Sequence, residues 1–127
     1  MKKIVLIIIV FFLISSFQKK ELKKLLGIWT CFHKELKDGT TKSEDFDGNE
    51  FTLSCDGVSF KLSKGNNGIE YTHNSKFKYK ITKDSILNLG NRKYIIEELT
   101  DSILVLRDYS ADGLGIYVFR NKYRKTQ

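Results

Sequence analysis

From Gly27 onward the apolar residues fall at every second position in short runs, and each run ends in a turn carrying Gly, Asn or Asp. That alternation is what most limits the fold. Period two sends neighbouring side chains to opposite faces of a strand. Turns this closely spaced leave no room for the crossover helix that a parallel pair requires. Eight extended runs are expected, over 28–35, 50–55, 58–63, 76–82, 85–89, 92–98, 102–109 and 114–121. The run 76–82 is the clearest, with Phe77, Tyr79 and Ile81 set against Lys76, Lys78 and Lys80. A polar, acidic loop covers 40–47, Lys64-Gly65-Asn66-Asn67-Gly68 forms a second loop, and the stretch 69–73 receives no firm assignment. An eight-stranded meander has two open edges, and rolling it shut removes both. The expected architecture is all-β: an eight-stranded antiparallel up-and-down barrel, preceded by a short helical turn over 19–26. Such a barrel is just wide enough to be filled by side chains or to hold one small ligand.

Ahead of this pattern, Lys2 and Lys3 precede an apolar stretch, 4–17, broken only by Ser15 and Ser16. As a helix its 14 residues rise about 21 Å, short of the roughly 30 Å hydrocarbon core of a bilayer. Residues 1–16 are therefore expected to be a signal peptide and 17–127 the exported domain, periplasmic or secreted. An uncleaved membrane tether is the rival, because a cut after Ser16 leaves Ile14 where a small residue is preferred. The segment Leu13-Ile14-Ser15-Ser16-Phe17 has the shape of a lipoprotein cleavage box with Phe17 in place of the lipidated cysteine, so no lipid anchor is expected.

The formal charge is +7, of which Lys2 and Lys3 contribute two. Much of the remainder lies at the ends: Lys19, Lys20, Lys23 and Lys24 in front, Lys122, Arg124 and Lys125 behind. Charge spread in this way solvates a surface and permits weak association with anionic envelope material. Export removes the chain from nucleic acid, so no nucleic-acid partner is expected, and a monomer is.

If Trp29 points inward, alternation brings Cys31, His33 and Glu35 to the same side, while Phe51, Leu53 and Cys55 share one face of the next run. Two readings of the cysteines stand side by side. One is a Cys31–Cys55 disulfide formed in an oxidising compartment; the other is a pair of buried thiols acting as small apolar side chains. His33 and His73 lack the spacing of a metal site, so neither a metal nor a cofactor is expected. The acids Glu97 and Glu98 are expected on opposite faces. No serine has a nucleophile's setting and no glycine loop could cradle phosphate, so the chain is expected not to be an enzyme and no catalytic residue is assigned.

What remains is the lumen. Trp29, Phe51, Phe60, Phe77, Tyr79, Tyr94, Tyr117 and Phe119 are expected inside or at its mouth, with His33 or Tyr79 placed to orient a polar group. If the aromatics leave space, the protein binds a small apolar or amphipathic ligand in the barrel. If they fill it, the alternative is an envelope structural or protein-interaction module that touches a partner through 40–47 and 64–73.

The segment Leu26-Gly27-Ile28-Trp29, opening the first strand after a helical turn, resembles the Gly-x-Trp signature of lipocalins. More closely, the chain is similar to the small bacterial lipocalin-like domains of secreted proteins and lipoproteins. The matching pieces are Leu25 to Trp29, the apolar strand ending in Asp-Gly at 51–57, the hairpin over 79–87, the step over 99–106, and the close over 117–120. The resemblance implies that Gly27 and Trp29 are structural, with the indole packed across the barrel base. It also implies that Arg120 lies over that indole in a cation–π contact of roughly 0.5–2 kcal/mol. Thr100-Asp101 lacks the tyrosine of the eukaryotic lipocalins' Thr-Asp-x-Tyr step, so the likeness implies the fold rather than a retinol-like ligand.

Overall fold

A computed structural model describes residues 23–55, 57–83, 85–109 and 118–126. The expected signal peptide and the first half of the run 114–121, Tyr117 included, lie outside the described residues. Within them the strands are β1 (Gly27–Leu36), β2 (Lys42–Glu44), β3 (Glu50–Thr52), β4 (Ser59–Ser63), β5 (Asn67–Glu70), β6 (Ser75–Thr82), β7 (Ile86–Leu89), β8 (Arg92–Leu99), β9 (Ile103–Asp108) and β10 (Phe119–Thr126). Eight of them close an antiparallel barrel in the order β1-β10-β9-β8-β7-β6-β5-β4, with β4 returning to β1. The remaining two, β2 and β3, pair as a separate hairpin in the long connection between β1 and β4.

The number of wall strands is as expected, but their membership differs in three places. The run 50–55 supplies no wall strand; only 50–52 is extended, and it pairs with β2. The stretch 69–73 contributes to β5 instead, which pairs with both β4 and β6. Gly65 and Asn66, at φ 79° and 60°, supply the left-handed turn that folds β5 back on β4. Glycine at 68 obscures this strand in the sequence, yet the fold uses it: the Phe77 ring occupies the space a Cβ there would need. Finally, the last strand runs 119–126 rather than ending at 121.

The barrel base is a packed core. Leu25, Trp29, Leu62, Leu87, Leu104 and Leu106 are all but inaccessible, each buried side chain contributing roughly 1.5–3 kcal/mol. Trp29 Nε1 donates to the carbonyl of Leu25 at 2.8 Å, so the last helical turn before β1, where the Leu26 amide donates to Lys23 O, is drawn across the base. The basic residue over the indole is not Arg120. The register sets Trp29 opposite Lys125, whose Nζ lies 4.8 Å from the ring centroid and also donates to Lys24 O at 2.7 Å. Arg120 stands opposite Glu35, on the other face of the wall.

Two β-bulges interrupt the alternation. On β1 the pairing with β10 slips between Cys31 and His33, leaving Phe32 as the extra residue; on β8 the pairing with β9 slips between Ile96 and Glu98, leaving Glu97. An extra residue re-aims every side chain beyond it. After Phe32, therefore, Lys34 turns to the inner side, opposite Asn121, and His33 and Glu35 turn out.

Candidate functional site

At the end opposite the base, the barrel opens into a cavity of about 1080 Å³. Its floor is aromatic. Phe60 from β4 and Tyr123 from β10 meet edge to face, with centroids 5.1 Å apart, and Tyr79 from β6 stands beside them with its hydroxyl donating to Ser63 O at 3.1 Å. Phe77 and Leu89 form one wall; Val58 and Cys55 form another. Toward the mouth the lining becomes polar, with Lys34, Glu70, Arg92, Tyr94 and Asn121. The strand registers account for this ring: Glu70 opposes Phe60, Arg92 opposes Leu89, Tyr94 opposes Leu87, and Asn121 opposes Leu106. Each polar residue shares the inward face of a core neighbour.

Tyr94 at the mouth and Tyr123 in the floor both keep their hydroxyl protons. Burial pushes both phenols up from their ordinary value; for Tyr123 the neighbouring Tyr94 adds to the effect, and for Tyr94 a hydrogen bond with Arg92 opposes it only in part. That bond in turn raises the guanidinium of Arg92, which keeps its charge. The acids at the mouth are occupied. Glu70 Oε1 meets His73 Nδ1 at 3.0 Å, and Asp108 Oδ2 accepts the Phe119 amide at 3.2 Å.

Of the aromatics expected here, Phe60, Phe77, Tyr79 and Tyr94 line the cavity. Trp29 lies beneath the floor, fully buried. Phe51 sits on the β2–β3 hairpin, half exposed, where it lines a lateral recess with Leu36 and Phe119 rather than the lumen. Phe119 is at the rim, with Lys34 Nζ 4.4 Å from its ring centroid. Tyr117 is outside the described residues. His33 does not reach the lumen, because the bulge turns it outward, where its Nε2 lies 3.4 Å from Glu35 Oε2.

Cys31 and Cys55 form a disulfide with Cα atoms 6.0 Å apart, which settles the choice between bridge and thiols. It ties the connection that carries the hairpin to the barrel wall, and Cys55 faces the cavity. The residues that sequence reasoning missed are Lys34, Glu70, Arg92, Asn121 and Tyr123. Lys34 carries no signal, since nothing in the sequence marks Phe32 as a bulge. Tyr123 did carry one: Asn121 and Tyr123 alternate with Arg120, Lys122 and Arg124, which would have placed them inside had the last strand been set further along.

Outside the barrel, the second bulge turns Glu97 to the solvent face, and the register sets Glu98 opposite Val105 on that same face, so these acids do not point apart as alternation implies. Glu97 joins Arg107 at 2.7 Å and Arg120 at 3.0 Å, and Glu35 accepts from Arg120 at 3.2 Å with Lys122 at 3.6 Å. Burial works to raise the Glu35 carboxyl, but the Arg120 hydrogen bond, Lys122 and His33 outweigh it and hold it below the usual carboxylate value. This belt crosses β1, β10, β9 and β8. Its three cations share two carboxylates, and each charged group lies within 3.6 Å of an opposite one.

Among the described residues, no group of three or more His, Cys, Asp and Glu side chains is arranged to hold a metal ion. Compared with protein-family models and with curated proteins, the sequence matches none.

Proposed function

We propose that this chain is an exported lipocalin-like binding protein that takes a small amphipathic molecule into the open end of its barrel. One observation carries the reading: the lumen is packed solid at the base yet open above it, with about 1080 Å³ bounded by an aromatic floor and a polar mouth. Ligand pockets typically have this size and this mixture of apolar walls with a few directed polar groups. An apolar tail of the ligand would lie against Phe60, Phe77 and Leu89, and its polar end would meet Arg92, Tyr94 and Asn121. The lipocalin-like order of sequence pieces supports the assignment, and the Cys31–Cys55 bridge supports export, since disulfides persist in oxidising compartments. Binding alone, with no catalysis, is sufficient for this lining.

A second reading, a protein-interaction module of the cell envelope, is favoured by the β2–β3 hairpin. Phe46 at its tip is fully exposed beside half-exposed Phe51. The tip is pre-shaped, with Asp45 Oδ1 accepting the amides of Asp47 and Asn49. Native mass spectrometry of the purified exported protein separates the two. A co-purifying mass of lipid or metabolite size is expected. A clean apo mass, with no thermal shift from a panel of single-chain amphiphiles, would overturn the first reading and leave the hairpin as the working surface.

A further inference from the structure

We propose that the mouth selects amphiphiles with an anionic head group, received between Lys34 of β1 and Arg92 of β8. The inference rests on the lumen being a ligand site and adds the chemistry of the head. Its basis is a contrast with the belt of ion pairs that crosses β1, β10, β9 and β8. On the outer face Arg107, Arg120 and Lys122 each lie within ion-pair distance of a carboxylate. At the mouth, Lys34 and Arg92 have no carboxylate at that distance among the described residues, although both line the cavity. They also share a smaller recess at the rim with Tyr94 and Asn121.

The two mouth acids, Glu70 and Asp108, each already accept one hydrogen bond, and neither lies within ion-pair distance of Lys34 or Arg92. Glu70 is engaged by His73, and Asp108 by the Phe119 amide. The donors point the other way. Arg92 bonds to Tyr94 through its side chain, which leaves further N–H groups of the five in its fork. Lys34 rests its ammonium over the Phe119 ring, a contact that consumes no N–H bond to a carboxylate. The Tyr94 and Tyr123 hydroxyls stay protonated and can donate. A carboxylate, sulfate or phosphate monoester accepts from such donors in short, charge-assisted bonds, and a partly desolvated setting strengthens them. The bulge at Phe32 creates the arrangement, since without it Lys34 would face solvent.

Three probes with one tail test this: decanoate, decanol and decyltrimethylammonium, titrated into the folded, disulfide-bonded protein below their micelle concentrations by isothermal calorimetry. Decanoate is expected to bind about tenfold or more tightly than decanol, with the gap narrowing as salt is raised. Lys34→Gln combined with Arg92→Gln, with folding checked by circular dichroism, is expected to bring decanoate down to the affinity of decanol. Equal affinities for decanoate and decanol, or preference for the ammonium probe, would overturn the head-group assignment and leave the lumen as a binding site. No binding by any of the three would overturn the binding reading itself. The wild-type comparison stands without the variants.

Discussion

On β10, Lys125 and Arg120 occupy opposite faces of one strand and do different work. Lys125 packs its stem against Gly27, sets its ammonium over Trp29 and caps the carbonyl of Lys24. A lysine held by a ring on one side and a carbonyl on the other braces the base and tethers the helical turn that precedes it. Replacement by methionine keeps the stem and removes the charge. Lys125→Met is expected to cost about 1 kcal/mol in urea unfolding and to shift the fluorescence maximum of Trp29. Arg120→Met is expected to leave that maximum in place, because its guanidinium serves the outer belt. The likeness to lipocalins pointed to a basic residue of the last strand over the indole, and the register supplies Lys125 in that place. Arg120 was named from the piece 117–120 that carries the likeness, but the register sets it opposite Glu35 on the outer face, five residues short of the position opposite Trp29.

Among the elements, the connection between β1 and β4 is the most unusual. It carries the β2–β3 hairpin outside the barrel and is pinned by a disulfide that spans 24 residues. Closing a loop of that size removes conformational freedom from the unfolded chain, worth about 3 kcal/mol by chain entropy. The double variant Cys31→Ala, Cys55→Ala is expected to lose roughly this much, read by chemical denaturation under oxidising conditions. Its hydrogen exchange should quicken first at the Leu53 amide, which donates to Thr41 O. Equal exchange at that position in both proteins would show that the hairpin holds itself. The sequence pattern took 50–55 for a wall strand because Phe51, Leu53 and Cys55 alternate well; alternation reports a face that meets something apolar, not which sheet supplies it. Conversely, β5 was passed over because its inward positions are Gly68, which offers no side chain to read, and Glu70, which is charged.

At the scale of the molecule, closure depends on both sides of the wall. Inside, Leu62, Leu104 and Leu106 fill the base; outside, Glu35, Arg120, Glu97 and Arg107 link four neighbouring strands. Because the Glu35 carboxyl titrates lower in the fold than in the unfolded chain, its contribution is fully present above its ordinary value of 4.5. That contribution fades as pH falls through the lower, folded value. Glu35→Gln is therefore expected to cost about 1–2 kcal/mol near neutrality, with the gap from the parent closing in acid. A constant gap across that range, followed by thermal melting, would remove the carboxylate from the account. The closed antiparallel barrel was legible because alternation and turn residues are local, but its strand number came out right only because the mistaken run 50–55 offset the missed β5. The polar mouth was not, since the single extra residue at Phe32 reverses four side chains and leaves no mark in composition.

The pairing of β1 is lopsided. It runs with β10 along its whole length but with β4 only from Gly27 to Thr30, followed by one further bond from the Cys31 amide to Val58 O. Past that point the cylinder is zipped on one flank and riveted on the other by sulfur. Separating a wall costs least where the fewest rungs must break. By that measure this seam is no weaker than β4–β5, β5–β6, β6–β7 or β7–β8, each with four paired residues; what sets it apart is the covalent rivet beside it, so a strong reductant would ease the vessel there and leave the other seams as they were.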